Sequence, residues 1–146
     1  PQLNSETVSV LPGVVELLEA LKDDSDITLG LLTGNLEQGA RLKLGAVGLL
    51  DYFDFGAFGS DGMFRTELPP IAVERAQKIT GRSFSSKQIA IIGDTQNDIT
   101  CGASLNVKTV AVATGKIRYE TLKSYNPDYL FRSFEDTGSV LAAIRN

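Results

Sequence analysis

The sequence predicts an α/β fold, in which helices cover both faces of a parallel sheet in a three-layer, Rossmann-like arrangement. Short apolar runs alternate along the chain with longer segments whose apolar residues recur at helical spacing. Two of the apolar runs end in glycine and polar residues at the point where α/β sheets bind ligands, the carboxyl end of a strand. Strands that alternate with helices of this size form βαβ units with right-handed crossovers.

Five helices are predicted from apolar residues that recur three or four positions apart. Pro12 lies near the start of the first helix, where its fixed φ is suitable, and the polar cluster at 23–26 ends that helix. Gly81 ends the third helix, because glycine readily adopts the left-handed conformation that follows many helices. The predicted helices span residues 12–22, 36–47, 69–80, 96–105 and 134–144.

Five strands are predicted from short runs that are rich in apolar and β-branched residues. The strongest is Ile-Ala-Ile-Ile at 89–92, which Gly93 closes, as expected for a buried parallel strand. No internal repeat or obvious linker interrupts the pattern, so we expect one domain, or a large part of one, over residues 1–146. The predicted strands span residues 27–32, 53–58, 88–92, 108–113 and 128–131.

Composition excludes several classes of function. The chain has 146 residues, 42% of them hydrophobic and 22% charged, with a net charge of -4. Its basic residues are scattered, so no basic patch is available for general nucleic-acid binding. A single cysteine and the absence of histidine exclude an internal disulfide, a His/Cys zinc site and a triad with a histidine base. No apolar segment approaches the roughly 20 residues that span a bilayer, so we expect no membrane partner and a cytoplasmic location.

Two carboxylates follow the strand predicted at 88–92, in the run Gly-Asp-Thr-Gln-Asn-Asp. Asp94 lies at the carboxyl end of the strand, and Asp98 lies about one helical turn further on if a helix begins near Thr95. Both can then face one crevice and hold Mg²⁺, which takes oxygen ligands and is usually bound by one or two carboxylates. The alternative is structural, with Asp94 or Thr95 capping the helix and Asp98 a solvated acid of its first turn.

Another strand end carries groups that are suitable for binding phosphate. Thr33, Gly34 and Asn35 follow the strand predicted at 27–32 and precede a helix. A hydroxyl and the free N–H groups of a glycine-containing turn at a helix start are good donors to a phosphate oxygen. Alternatively, Thr33 or Asn35 only caps that helix. Thr114 and Gly115 follow a further strand and either line the same crevice or form a plain turn.

Together, the two strand ends resemble the haloacid dehalogenase-like hydrolase superfamily and, within it, the phosphoglycolate phosphatase-like group. The second motif of that family is a strand that ends in Ser or Thr, matched here by the run Leu-Leu-Thr-Gly-Asn at 31–35. Its fourth motif is a strand followed by Gly-Asp and a second Asp, matched at 93–98. The order and separation also match, and the resemblance covers nearly the whole chain.

The resemblance implies phosphoryl transfer through an aspartyl-phosphate intermediate. It implies that Thr33 hydrogen-bonds the phosphoryl group and that Gly34 and Asn35 shape the surrounding turn. It also implies that Asp94 coordinates Mg²⁺ and that Asp98 completes or orients the water shell of the metal. A metal and a basic side chain would stabilise charge on the transferring group.

The basic residue of the third family motif has two candidates. Lys43 is preferred, because its predicted helix starts at the phosphate-binding turn, and Arg65 is the second choice. Many relatives have Lys-Pro at the place where this chain reads Arg-Thr-Glu-Leu-Pro-Pro, without a lysine. For both candidates the alternative is a solvated surface charge.

The first family motif, Asp-x-Asp at the end of a first strand, has no counterpart before Pro12. The only Asp-x-Asp, at 24–26, is rejected as the nucleophile because it lies in a loop at the opposite end of the predicted sheet. We therefore expect this chain to be a partial core that lacks the first strand and the cap. The missing strand would lie between the strands predicted at 27–32 and 88–92, so these two should not be hydrogen-bonded to each other.

The resulting hypothesis is the C-terminal part of a Mg²⁺-dependent phosphatase of small phosphomonoesters, with phosphoglycolate as the substrate expected for the group. The chain alone is expected to be inactive, because the nucleophile would come from a missing N-terminal segment of the same protein. The alternatives are a phosphosugar mutase, a haloacid dehalogenase relative, or a non-catalytic fragment that binds phosphate, Mg²⁺ or another protein. The expected partners are a small phosphorylated metabolite and the missing segment, with no nucleic acid and no membrane.

Overall fold

The computed structural model describes residues 13–24, 26–33, 36–62, 67–84 and 86–145. The chain divides into two compact units. The first unit contains residues 18–83, and the second contains residues 84–145 together with 13–17. Helix α1 (Val14–Lys22) contributes residues to both units, and each unit has its own parallel sheet. The prediction of one domain over 1–146 remains a prediction.

The first unit is built on two parallel strands. Strand β1 (Gly30–Leu32) pairs with β2 (Phe55–Ala57), and Leu31 lies opposite Gly56. Helix α3 (Leu68–Thr80) packs against both strands. It ends at Gly81, whose φ of 68° is the left-handed conformation predicted for that position. Helix α2 (Glu37–Ala46) and short 3-10 turns at Leu50–Tyr52 and Gly59–Asp61 complete the unit.

The second unit has a three-stranded parallel sheet with β4 in its centre. The strands β3 (Ala90–Gly93), β4 (Lys108–Val112) and β5 (Tyr129–Phe131) lie in the order β3-β4-β5. All five residues of β4 are buried, because it has a neighbour on each side and helices packed against it. The helices are α4 (Gln96–Leu105), α5 (Tyr119–Ser124) and α6 (Thr137–Arg145).

Side-chain hydrogen bonds hold the amino-terminal end of the β4 region. The Asp128 carboxylate accepts a hydrogen bond from the Thr109 N–H at 2.8 Å, and the Asp128 N–H donates to Thr109 Oγ1 at 2.9 Å. Lys108 is buried, and its Nζ donates to the Ile144 carbonyl at 2.9 Å, in the last turn of α6. A cation at this place interacts favourably with the carboxyl end of the helix.

The α/β fold class is confirmed, and each predicted helix and strand has a counterpart. Helix α4 has the predicted bounds, whereas β1 begins only at Gly30 instead of at residue 27. Before Gly30 the side chain of Asp54 enters the pairing, since its carboxylate accepts a hydrogen bond from the Leu29 N–H at 3.1 Å. The sequence did not predict α5, which has six residues and therefore fewer than two turns of periodicity to recognise.

Strand β1 belongs to the sheet of the first unit and β3 to the sheet of the second. That the strands predicted at 27–32 and 88–92 are not paired directly remains a prediction. The missing strand itself remains a prediction. Among the helices of the described residues, none is long and apolar enough to cross a membrane.

Candidate functional site

Asp94 lies directly after β3, at the carboxyl end of the second unit's sheet. Its side chain is half-buried against Gly115, in the turn that follows β4. A Cβ atom built on Gly115 would lie 2.4 Å from Asp94 Oδ2 and 2.9 Å from its Cγ. Within the described part of the chain, the carboxylate makes no hydrogen bond or ion pair. The described part of the protein therefore positions this carboxylate without donating a hydrogen bond to it.

Asp98 lies in the first turn of α4, and only 7% of its surface is exposed. Its Oδ2 accepts hydrogen bonds from the Thr95 N–H at 3.2 Å and from Thr95 Oγ1 at 3.0 Å. The carboxylate also lies over Gly93, where a Cβ atom would come within 2.0 Å of Oδ2. The structural alternative is thus right that Thr95 caps the helix, through a capping box with Asp98, and wrong that Asp98 is a solvated first-turn acid, because Asp98 is buried.

The donors near this strand end fit Mg²⁺, the metal that the family resemblance implies. Asp94 offers carboxylate oxygens without a protein donor in the described ranges, and Asp98 is held one turn further on. Gln96 Oε1 is buried and has no hydrogen-bond partner among the described residues. These are oxygen donors, which a hard cation prefers, and two carboxylates suffice for a metal that keeps several waters. No group of three or more metal-ligating side chains occurs in the described part.

Thr33 lies directly after β1, in the first unit, and is half-buried. Its N–H donates to the Ala57 carbonyl at 3.1 Å, so the pairing of β1 with β2 continues one residue beyond the strand. Gly34 and Asn35 lie outside the described residues. The N-cap of α2 is Leu36, which makes no side-chain capping bond, so Thr33 does not occupy the capping position.

Lys43 lies in the last turn of α2 and is half-buried. It lies seven residues beyond the N-cap Leu36, which corresponds to about 10 Å along the axis at the usual rise per residue. Lys43 is therefore well separated along α2 from the turn at Thr33, so its helix alone does not bring it to the predicted phosphate site. Arg65 lies outside the described residues. The basic residue of the site therefore remains a prediction.

An ion pair that the sequence does not predict connects two elements of the first unit. The Arg75 guanidinium, on α3, donates to both carboxylate oxygens of Asp61 at 2.8 Å and to the Gly56 carbonyl at 2.6 Å. Asp61 also accepts a hydrogen bond from the Phe58 N–H at 2.9 Å. These hydrogen bonds, Arg75 foremost, lower the pKa of the Asp61 carboxyl to about 2. No local pattern indicates the pair, because its members are 14 residues apart.

Arg75 also borders a cavity of about 330 Å³ in the first unit. The basic residues that line the cavity are each engaged with an acid: Arg41 with Glu37 at 2.9 Å, and Lys78 with Glu74 at 3.3 Å. The cations at this cavity thus have acidic partners within the protein. The residues that line it are Glu37, Arg41, Phe55, Gly56, Phe58, Arg75, Lys78 and Ile79.

The predicted site residues fall into two groups. Asp94 and Asp98 are held in the second unit around β3 and the first turn of α4, with Asp98 packed on the glycine that precedes Asp94. Thr33 and Lys43 belong to the first unit. That the two groups form one site remains a prediction.

Comparisons with known proteins identify the family. A family model described as "Haloacid dehalogenase-like hydrolase" matches residues 2–112. The pyrophosphatase PpaX of Oceanobacillus iheyensis is 27% identical over 134 residues, which cover 92% of this chain and 61% of the relative. The phosphoglycolate phosphatase of Haemophilus influenzae is 27% identical over 133 residues, which cover 89% of this chain and 56% of the relative.

A solved structure shows the same fold. The β-phosphoglucomutase of Clostridium difficile superimposes with a TM-score of 0.74 at 20% identity, over 96% of this chain and 60% of that one. The present chain thus spans between 56% and 61% of the length of these curated relatives. The family match includes both strand ends singled out above, at 31–35 and 93–98. The chain belongs to the haloacid dehalogenase-like hydrolase family.

Proposed function

We propose that the protein to which this chain belongs is a Mg²⁺-dependent phosphatase of small phosphomonoesters. The observation that carries the proposal is the half-buried Asp94 carboxylate, which follows β3 and has no protein donor in the described ranges. Asp98, fixed by the capping box one turn further on, supports it. The named activities of the relatives, pyrophosphate and phosphoglycolate hydrolysis, support the same reaction class.

The proposed reaction has two steps, each of which breaks a bond to phosphorus. An aspartate carboxylate attacks the phosphorus, the ester P–O bond breaks, and the leaving alkoxide takes a proton from the second carboxyl group of the Asp-x-Asp motif. Water then attacks the phosphorus of the aspartyl phosphate and gives a proton back to that second carboxylate, which releases inorganic phosphate and restores the attacking carboxylate. We propose that an upstream segment of the protein supplies this aspartate, because no Asp-x-Asp follows a predicted strand in the present chain. This is the missing N-terminal partner expected from the sequence.

The residues of this chain would then bind and orient the substrate. The Thr33 hydroxyl would donate a hydrogen bond to a phosphoryl oxygen, and Gly34 and Asn35, which follow it in the sequence, would contribute to the same phosphate site. Asp94 and Asp98 would hold Mg²⁺, and the metal would neutralise charge on the phosphoryl oxygens. Lys43 or Arg65 supplies a further positive charge, of the kind that stabilises a loose phosphoryl-transfer transition state.

The substrate belongs to the proposal as well. The sequence resemblance favours a phosphoglycolate-like monoester, and the PpaX relatives add pyrophosphate as a compound to test. Similarity to a mutase at 20% identity reflects the fold alone. A panel of 2-phosphoglycolate, pyrophosphate and glucose 1-phosphate therefore separates the phosphatase from the mutase alternative.

Hydrolysis of p-nitrophenyl phosphate with and without Mg²⁺ tests the proposal. The chain is assayed alone and joined to its upstream segment, with Asp94→Asn and Lys43→Ala variants. Asp51→Asn serves as the matched control, because Asp51 is exposed on a 3-10 turn of the first unit. We expect activity only in the joined protein with Mg²⁺, a loss on the order of a hundredfold or more in Asp94→Asn, and no loss in Asp51→Asn.

Two results would count against parts of this proposal. Hydrolysis by the chain alone would show that the nucleophile lies within residues 1–146. A joined protein that binds Mg²⁺ but neither hydrolyses p-nitrophenyl phosphate, 2-phosphoglycolate or pyrophosphate nor isomerises glucose 1-phosphate would support the non-catalytic alternative.

A further inference from the structure

The turn after β4 forms the surface on which the Asp94 carboxylate rests. The register pairs Gly93 with Ala111, so the carboxyl ends of β3 and β4 are adjacent. Asp94 follows β3 by one residue and Gly115 follows β4 by three, and their side-chain and main-chain atoms meet there. A Cβ atom on residue 115 would lie 2.4 Å from Oδ2, 2.9 Å from Cγ and 3.4 Å from Cβ of Asp94.

Backbone conformation does not account for a glycine at position 115. Among the described residues, the glycines with positive φ are Gly13, Gly48 and Gly81, and Gly115 is not one of them. Gly115 is also exposed, so the packing of a buried core does not require it. The remaining explanation for a glycine at position 115 is that the absence of a Cβ atom leaves space for the Asp94 carboxylate.

The contact with Gly115 contributes more to the orientation of the Asp94 side chain than the contact with Gly93 does to that of Asp98. Asp98 rests on Gly93 in a similar way, but two hydrogen bonds from Thr95 also orient it. Asp94 has no hydrogen bond among the described residues, so van der Waals contact is what the structure offers to define its orientation. A methyl group at position 115 would force the short side chain of Asp94 to rotate to another staggered conformation.

We propose that Gly115 is a positioning residue that holds the Asp94 carboxylate in its metal-binding orientation. The inference rests on the proposed function only in taking Mg²⁺ as the ligand of Asp94. Rotation of a free carboxylate costs the fold little, because the backbone at 115 is not strained and the clashing atoms belong to a short, half-buried side chain. Groups that orient metal ligands commonly change metal affinity by tenfold to a hundredfold when they are altered. The substitution should therefore separate metal binding from stability.

The test is a Gly115→Ala variant of the protein produced together with its upstream segment. Mg²⁺ affinity is measured by isothermal titration calorimetry, and the thermal unfolding midpoint is measured without metal. Gly138→Ala is the matched control, because a Cβ atom there meets only Asp136 Oδ1, at an ordinary 3.8 Å. We expect Gly115→Ala to weaken Mg²⁺ binding on the order of tenfold or more. Its metal-free midpoint should stay within about 2 °C of the unsubstituted protein, and Gly138→Ala should keep the Mg²⁺ affinity of that protein.

Three outcomes would overturn the inference. If Gly115→Ala binds Mg²⁺ as tightly as the unsubstituted protein while Asp94→Asn does not, Gly115 does not position the ligand. If the metal-free midpoint of Gly115→Ala falls by many degrees, Gly115 is a packing residue. If the unsubstituted protein itself binds no Mg²⁺, the magnesium part of the proposed function fails first, and that result is visible before any variant is compared.

Discussion

Asp61 and Asp94 are aspartates beside a strand end, and the protein treats them in opposite ways. Asp61, in the first unit, accepts three hydrogen bonds from Arg75 and the Phe58 N–H. Asp94, in the second unit, rests on Gly115 and has no donor within the described ranges. A carboxylate whose acceptor capacity is used inside the protein contributes to stability, whereas one that is positioned but unpaired is available to a ligand. The difference separates a structural acid from a candidate functional acid.

Removal of the Arg75 side chain should lower the free energy of unfolding more than the other substitutions do. Arg75→Met keeps the aliphatic part of the side chain but leaves Asp61 with a single donor and removes the bond to Gly56. Hydrogen bonds to charged groups contribute about 1.5–3 kcal/mol. Partial exposure of the pair, 39% for the Arg75 side chain, reduces the expected loss to about 1–2 kcal/mol.

Urea unfolding measures this loss, and Lys78→Met on the same helix is its control. Lys78 pairs with Glu74 on an exposed surface, where such pairs contribute about 0.3–0.5 kcal/mol. Equal losses in the two variants would break the comparison, because Asp61 would then be no more structural than a surface acid.

Thr95→Ala tests Asp98, which has features of both the structural acid Asp61 and the candidate functional acid Asp94. Asp98 is both a helix-capping group and a candidate metal ligand, and Thr95 donates to it from Oγ1. Loss of a capping side chain costs about 1 kcal/mol, so we expect Thr95→Ala to lower the free energy of unfolding by about that amount. Thr95→Ser keeps the hydroxyl and should restore most of it, as measured by chemical denaturation. An unchanged free energy in Thr95→Ala would show that the capping box contributes nothing to stability.

The dependence of the free energy of unfolding on acid pH should also reveal the structural role of Asp61. The pKa of Asp61 is lowered from 3.8 to about 2, with the Arg75 hydrogen bonds as the largest cause. Between these values the unfolded chain binds a proton that the folded chain does not, so its stabilising contribution is present above about pH 4 and is lost toward pH 2. The free energy of unfolding should thus fall more steeply with acidification in the unsubstituted protein than in Asp61→Asn.

An exposed acid provides the control for this pH dependence. Asp51→Asn should follow the pH profile of the unsubstituted protein, because Asp51 is exposed and no hydrogen bond of its side chain is found in the described ranges. If Asp61→Asn gives that same profile, the ion pair with Arg75 does not contribute to stability.

Local features of this molecule were predictable from the sequence, and contacts between distant segments were not. The strand ends at Thr33 and Asp94 were recognisable, because polar residues that follow an apolar run identify the end of a strand. The partners of Arg75 and of Asp94 lie many residues away in the chain, and only the turn and packing of the folded unit bring them together. The burial of Asp98 was missed for the same reason, since periodicity does not reveal which acid lies over a glycine.

Lys43 illustrates a different limit. Its helix was predicted close to the observed bounds, but membership of a helix does not specify nearness to the residue at which the helix begins. At about 1.5 Å per residue, seven residues carry a side chain well away from the first turn. A site residue chosen from its element alone therefore needs its position along that element to be counted as well.

The hydrogen bond from Arg75 to the Gly56 carbonyl also affects how the protein meets other molecules. Ala57 accepts the Thr33 N–H, and alternate residues of a strand direct their peptide groups to opposite sides, so the Gly56 carbonyl faces away from β1. An outward carbonyl on an edge strand is where a strand of a second chain would add and begin aggregation. The guanidinium that pairs with Asp61 occupies this acceptor at 2.6 Å and places a charge beside it. Within the described residues, where β1 is the neighbour of β2, the Arg75 side chain thus occupies an acceptor that an added strand would otherwise use.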